Sequence, residues 1–149
     1  MAIEYALTLA GSTPVERVAK RALPGLDERP TGTPPLLSAD LWERYGFQVT
    51  VYAGRHGYLD AETDDGSLTW KPKTYVSVGF RMDKFADFQW SIPHMLTIVR
   101  RVMTGGGEDA MLTFNGDYAL LTRFAGKLAK HRREDWWASY PAADSVIPG

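Results

Sequence analysis

Three histidines, one acidic turn, one glycine triplet and one basic–aromatic run are the places where this sequence could concentrate chemistry. No two of His56, His94 and His131 sit at metal-ligand spacing. His56 and Asp60 could exchange a proton. Such a pair works only where it converges on a pocket with a third orienting group, and the sequence supplies none. His94, at the expected start of a helix, most simply faces solvent or a partner. No Gly-x-Ser-x-Gly nucleophile elbow occurs. Cysteine is absent, which excludes disulfides, thiol catalysis and thiolate zinc sites. No catalytic residue, metal ligand or cofactor is therefore expected.

Asp60-Ala61-Glu62-Thr63-Asp64-Asp65-Gly66 is the densest acidic stretch. A calcium loop of the EF-hand type needs glycine at its sixth position and glutamate at its twelfth. Counted from Asp60, those places hold Asp65 and Lys71, so the pattern fails. A solvated turn is the plain reading, and an acidic contact surface for a basic partner is the sharper one. Gly105-Gly106-Gly107 is no phosphate loop, because it follows a helix pattern and precedes Glu108-Asp109 where lysine would be needed. It reads as a helix stop.

Lys127, Lys130, His131, Arg132 and Arg133 run into Trp136 and Trp137. Cations beside aromatics can hold single-stranded nucleic acid, phosphates on the charges and bases on the rings. The alternative is a charged strand end followed by an aromatic tail docked on the body. Trp136 and Tyr140, four residues apart, would share one face of a short helix. Large aromatics stabilise most when desolvated, and any left in reach of solvent is a natural interface hot spot.

The elements that must position these residues follow from periodicity. Ile3, Tyr5, Leu7 and Leu9 alternate with Glu4, Ala6 and Thr8, as in a half-buried strand. Thr13-Pro14-Val15-Glu16 reads as a capped helix start, with Val15, Val18, Ala19 and Ala22 on its apolar face. Residues 23–37, rich in proline and glycine, read as a loop. Ser38 would cap a short helix from Ala39 to Tyr45, stopped by Gly46. Strands are expected at Phe47–Val51 and Tyr75–Met82, with short paired strands at Tyr58–Glu62 and Ser67–Trp70 around Asp64-Asp65-Gly66. Ser91 would cap the main helix, whose stripe is Ile92, Met95, Leu96, Val99, Val102 and Met103. A meander follows at Met111–Phe114, Tyr118–Phe124 and Lys127–Lys130, turning at Asn115-Gly116 and Ala125-Gly126.

This order predicts an α+β fold: a largely antiparallel sheet of about five to six strands, covered on one face by the long helix near 91–104, with a short N-terminal helix near 14–22. A length of 149 residues suits one domain spanning 1–149. The net charge of −1 argues against a dedicated nucleic-acid binder, which carries a basic excess. The N-terminus lacks a signal-peptide pattern, and no apolar run approaches the roughly 20 residues of a membrane span. A cytoplasmic protein with no membrane partner is expected.

Several segments together resemble a known family. They are Met1-Ala2-Ile3-Glu4-Tyr5 with Leu7, Leu36-Leu37-Ser38-Ala39-Asp40-Leu41, and Tyr75-Val76-Ser77-Val78 running into Phe80-Arg81-Met82-Asp83-Lys84. Phe114-Asn115-Gly116-Asp117 and His131-Arg132-Arg133 through Trp136-Trp137 complete the set. The chain resembles the Sit-type immunity proteins, linked to bacterial swarming-inhibition toxins, nearly end to end. The resemblance implies a non-enzymatic protector that neutralises a cognate toxin by binding it. It carries over no contact residues. From the residues themselves, the candidate partner-binding set is Asp60, Glu62, Asp64 and Asp65 in the acidic turn, with Lys130, His131, Arg132, Arg133, Trp136 and Trp137 in the tail.

Overall fold

The computed structural model describes residues 2–149; Met1, which opens the N-terminal segment quoted above, lies outside them. Among the described residues the chain begins β1 (Ile3–Ala10), α1 (Val15–Ala22), β2 (Thr31–Thr33), β3 (Leu36–Leu41), α2 (Trp42–Tyr45) and β4 (Phe47–Arg55). It continues β5 (Leu59–Thr63), β6 (Gly66–Trp70), β7 (Thr74–Met82) and α3 (Phe88–Thr104). Then come β8 (Ala110–Phe114), β9 (Tyr118–Phe124), β10 (Lys127–Lys130), one π-helical turn (Arg133–Trp137) and α4 (Pro141–Val146).

The α+β class holds, but the sheet has ten strands, not five to six. Its order is β2-β3-β4-β7-β1-β8-β9-β5-β6, with β10 on β9. Every pairing is antiparallel except one parallel bridge, Glu62 to Tyr118, which makes the sheet mixed. Two of the extra strands lie where a loop and a helix were expected. Leu37, Ala39 and Leu41 repeat every second residue, and Leu37 and Leu41 are buried against β4. That alternation overrides Ser38 as a cap and leaves only Trp42–Tyr45 helical. Gly46 does end this turn, in the left-handed conformation at φ 82° that glycine adopts without strain.

One face of the sheet carries the main core. Tyr5, Leu7 and Leu9 of β1, Phe47, Val49 and Val51 of β4, and Val76, Val78 and Phe80 of β7 point into it. α3 lies on this face, and all six residues of its expected stripe are buried. The helix starts before Ser91, because Asp87 is the cap and its carboxylate accepts from the Gln89 N–H at 2.9 Å. Ser91 is instead wholly buried within the helix. α1 starts at Val15 without the expected capping box. Pro14 occupies the cap position, which leaves Thr13 one residue outside it, and the Thr13 hydroxyl donates to Glu108 at 2.9 Å, a charged acceptor shared with Arg21. The Arg21 side chain passes over the glycine triplet, where a Cβ on Gly105 would lie 2.7 Å from it. The glycines thus end α3 and make room for the ion pair.

The other face is covered differently. β4 and β5 on one side, and β6 and β7 on the other, form one long bent hairpin. Its pairing continues through the bend by His56 N–H to the Lys73 carbonyl at 2.8 Å and Gly57 N–H to the Pro72 carbonyl at 2.9 Å. His56 sits there at φ 55°, and a Cβ on Gly57 would meet the Pro72 ring at 2.9 Å. Beyond the bend, β5 and β6 make an arm that folds onto β8 and β9. Ala61, Met111 and Ala119 are buried between them, with Leu59, Leu68, Trp70 and Phe124 packed around.

Candidate partner interface

The acidic turn and the basic–aromatic tail form one surface. The arm's tip is the turn Asp64-Asp65, shaped by the Thr63 hydroxyl, which donates to the Gly66 carbonyl at 2.7 Å and accepts from the Asp65 N–H at 3.1 Å. Gly66 at φ 107° completes it. The Asp64 N–H donates to His131 Nδ1 at 3.3 Å, and the Asp64 carboxylate accepts from the Arg132 N–H at 3.0 Å. A ring nitrogen that accepts at Nδ1 leaves Nε2 to donate, and Nε2 lies 3.2 Å from the Thr122 hydroxyl. His131 is therefore a buckle between the arm and β9.

The strand alternation of β10 sends neighbouring side chains to opposite faces. Lys130 turns to the helix face, where its ammonium sits 4.5 Å from the Trp137 ring centroid and donates to the Asp144 carboxylate at 2.7 Å. Trp137 is buried and donates its indole N–H to the Leu120 carbonyl at 3.1 Å. Lys130, His131 and Trp137 are buried, with only an edge of His131 reaching a neighbouring groove. Their contacts position the surface around them.

Arg132, in the left-handed conformation at φ 60°, turns the chain from β10 into the π-helical turn. Its guanidinium lies 4.4 Å from the Tyr118 ring centroid and 3.3 Å from the Asp135 carboxylate. Arg133 is exposed beside it. Trp136 is half-buried, donates to the Tyr5 hydroxyl at 3.1 Å, and packs on Tyr5, Trp137 and Tyr140 with centroids 4.9–5.8 Å apart. Burial pushes the Tyr5 phenol well above its ordinary range, against the Trp136 hydrogen bond, so it stays protonated. Burial also raises Tyr140. Phe114, Tyr118, Arg132, Trp136 and Tyr140 line a groove of about 360 Å³.

Beside this groove lies the arm's outer face. Asp60 and Glu62 point outward from β5 and accept from the Thr69 and Ser67 hydroxyls at 3.4 and 2.7 Å. Asp64 and Asp65 follow at the tip. Asp117 joins them, because its carbonyl accepts the Glu62 N–H at 2.8 Å. Among the described residues none of these five carboxylates is in a salt bridge. The arrangement offers charge and aromatic area around a shallow groove. Such a combination suits recognition of another molecule.

A family model matches residues 3–141, a span that includes the core, the arm and the tail. The chain belongs to the SitI3-like family. No curated protein and no solved structure matches the SitI3-like chain.

The three histidines of the SitI3-like chain do not converge. His56 is exposed at the arm's bend, His94 packs tilted on Tyr45 and edge-on to Trp90 at 4.7 and 6.0 Å, and His131 is the buckle. His94 is thus half-buried within α3, not at its start. Among the described residues no group of three His, Asp or Glu side chains could hold a metal ion, and no helix is long and apolar enough to cross a membrane. Tyr118, Asp117 and Asp135 belong to the surface but were missed in the sequence. Asp117 follows the legible Asn115-Gly116 turn, which was the available signal. Tyr118 had none, because only the single bridge between β5 and β9 brings it to Glu62.

Proposed function

We propose that this protein is a non-enzymatic immunity protein that binds a cognate bacterial toxin in the cytoplasm of the producing cell and neutralises it. The observation that carries the reading is the joining of the arm and the tail through Asp64, His131 and Arg132. It turns two stretches nearly seventy residues apart (67 and 68 in the two bonds) into one preformed surface. A preformed surface binds without the ordering cost that weakens a flexible one. The contact residues are Asp60, Glu62, Asp64, Asp65, Arg132, Arg133 and Trp136, with Asp117, Tyr118 and Tyr140. Their unneutralised carboxylates suit a basic toxin surface and would steer its approach. Family membership supports the reading.

Nucleic acid suits this surface poorly. Lys130 is buried on Asp144, Arg132 is committed to Tyr118 and Asp135, Trp137 is inside, and five free carboxylates lie alongside. A phosphate backbone would be repelled there.

Co-expression with a toxin candidate sought among the neighbouring genes tests the proposal. Growth should be restored and a stoichiometric complex recovered. No rescue and no complex would overturn it.

A further inference from the structure

The ten-stranded sheet ends on two strands with different protection. β2, at one end, has three residues, Thr31-Gly32-Thr33, between Pro30 and Pro34-Pro35. Short length and flanking prolines are how natural proteins close an edge to further pairing. β6, at the other end, has five residues, Gly66-Ser67-Leu68-Thr69-Trp70, with no proline, no lysine and no inward charge. Thr63 and Gly66 flank the two-residue turn as a paired position. Antiparallel alternation then directs the backbone of Leu68 toward β5 and that of Ser67 and Thr69 outward. No hydrogen bond to those outward groups is present among the described residues.

A groove of about 400 Å³ runs beside this edge, between β6 and the strands β9 and β10. Leu68, Phe124 and Ala129 supply its apolar floor, with Thr122, Lys127 and His131 along its far side. The arm's outer face, one strand away from the edge, carries Asp60 and Glu62.

We infer that the free edge of β6 is a docking strand, on which an extended segment of the partner adds itself to the sheet with apolar side chains turned into the groove and basic side chains turned toward Asp60 and Glu62. The mode deepens the proposed function and rests on it for the partner being a toxin. Three features select this occupant over others. The unpaired backbone demands an extended chain. The two faces of the arm demand alternation, because successive side chains of a strand point to opposite faces. A second copy would present its own β6, Gly66-Ser67-Leu68-Thr69-Trp70, which carries no basic side chain to turn toward Asp60 and Glu62.

The test uses the full chain and a synthetic peptide, acetylated and amidated, that alternates lysine with valine over ten residues. Wild type should bind it saturably, and raising salt from about 0.05 to 0.5 M should weaken binding. The Ser67 and Thr69 amides should become protected from hydrogen exchange. Thr69→Pro removes one outward N–H and leaves the pairing to β5 intact, as proline is tolerated on an edge whose N–H faces solvent. It should weaken binding at least about tenfold. Should Thr69→Pro fail to fold, Ala129→Glu fills the groove with a charged chain and should have the same effect. Equal binding by these variants, no saturable binding by wild type, or a concentration-dependent dimer that Thr69→Pro abolishes would overturn the inference. The titration contains no toxin. Its failure would remove the docking mode and leave the immunity reading to the growth assay.

Discussion

Lys130 and His131 are neighbours and both are buried, yet they fasten opposite covers of the same sheet. Lys130 holds the C-terminal aromatic segment to the helix face; His131 holds the arm's tip to the other. The helix cover rests on a broad aliphatic and aromatic core, so its polar contacts are additions to a layer already held by burial. The arm buries only Ala61, Met111 and Ala119 fully, so its hydrogen bonds at Asp64 carry a larger share of what keeps it down. Regions with few buried apolar contacts open locally at lower cost than the global unfolding free energy. The side of the molecule that presents the acidic face is thus the side whose preformed shape depends most on a few hydrogen bonds.

Removing a core ring should break the whole molecule, and removing the buckle should free only the arm. Phe80 packs edge-on against Phe47 at 5.6 Å and is buried on the helix face. Phe80→Ala should cost about 3–5 kcal/mol and lower Tm in one cooperative transition. Two separate transitions would contradict the shared core. His131→Ala should cost about 1–3 kcal/mol, because the buried Thr122 hydroxyl and the Asp64 N–H both lose their partner. Hydrogen exchange should rise in residues 59–70 before it rises in α3. Equal acceleration in both would show that the two covers are one unit.

The difference between the covers also decided what could be read from the sequence. The α3 stripe, β1, β7 and the meander were legible, because burial on one broad face imposes a regular period. Asp64-Asp65-Gly66 was legible as a turn for its local chemistry. The count of ten strands was not, since Leu37, Ala39 and Leu41 alternate inside a proline-rich stretch that punctuates like a loop. Ser91 and Thr13 were misread as caps. The charged Asp87 caps α3 four residues before Ser91, and α1 begins one residue later than a Thr13 cap requires, with Pro14 at its cap position. In the candidate surface, acidic and basic stretches could each be named, but not their contact. The bonds from Asp64 to His131 and Arg132 depend on where the bent hairpin lands, which no local pattern encodes.

Acid should loosen the helix side through Glu108. Burial pushes its carboxyl up, but the hydrogen bonds from backbone, Arg21 and Thr13 outweigh it and hold the pKa below the ordinary glutamate value. A depressed folded pKa contributes stability that is present above the unfolded value, about 4.3, and is lost as pH falls through the folded one. The wild-type Tm should therefore drop as pH is lowered past about 4. Glu108→Gln should start lower and fall less steeply over that window. An unchanged slope would show that the Arg21 contact does not couple to folding.

The smallest effect on stability is expected where the effect on binding is largest. Asp60, Glu62 and Asp65 sit on the arm's exposed surface without a cationic partner among the described residues, and folding does not require their charge. Asn and Gln keep the acceptor oxygens that Ser67 and Thr69 use. The triple variant Asp60→Asn, Glu62→Gln, Asp65→Asn should thus change unfolding free energy by no more than about 0.5 kcal/mol. Relief of like-charge repulsion would make the sign a gain. A basic partner should associate more slowly with the variant, and its association rate should lose most of its salt dependence. A stability loss above about 1 kcal/mol would make these carboxylates structural, and the arm would then resemble the helix cover more closely than its few buried contacts imply.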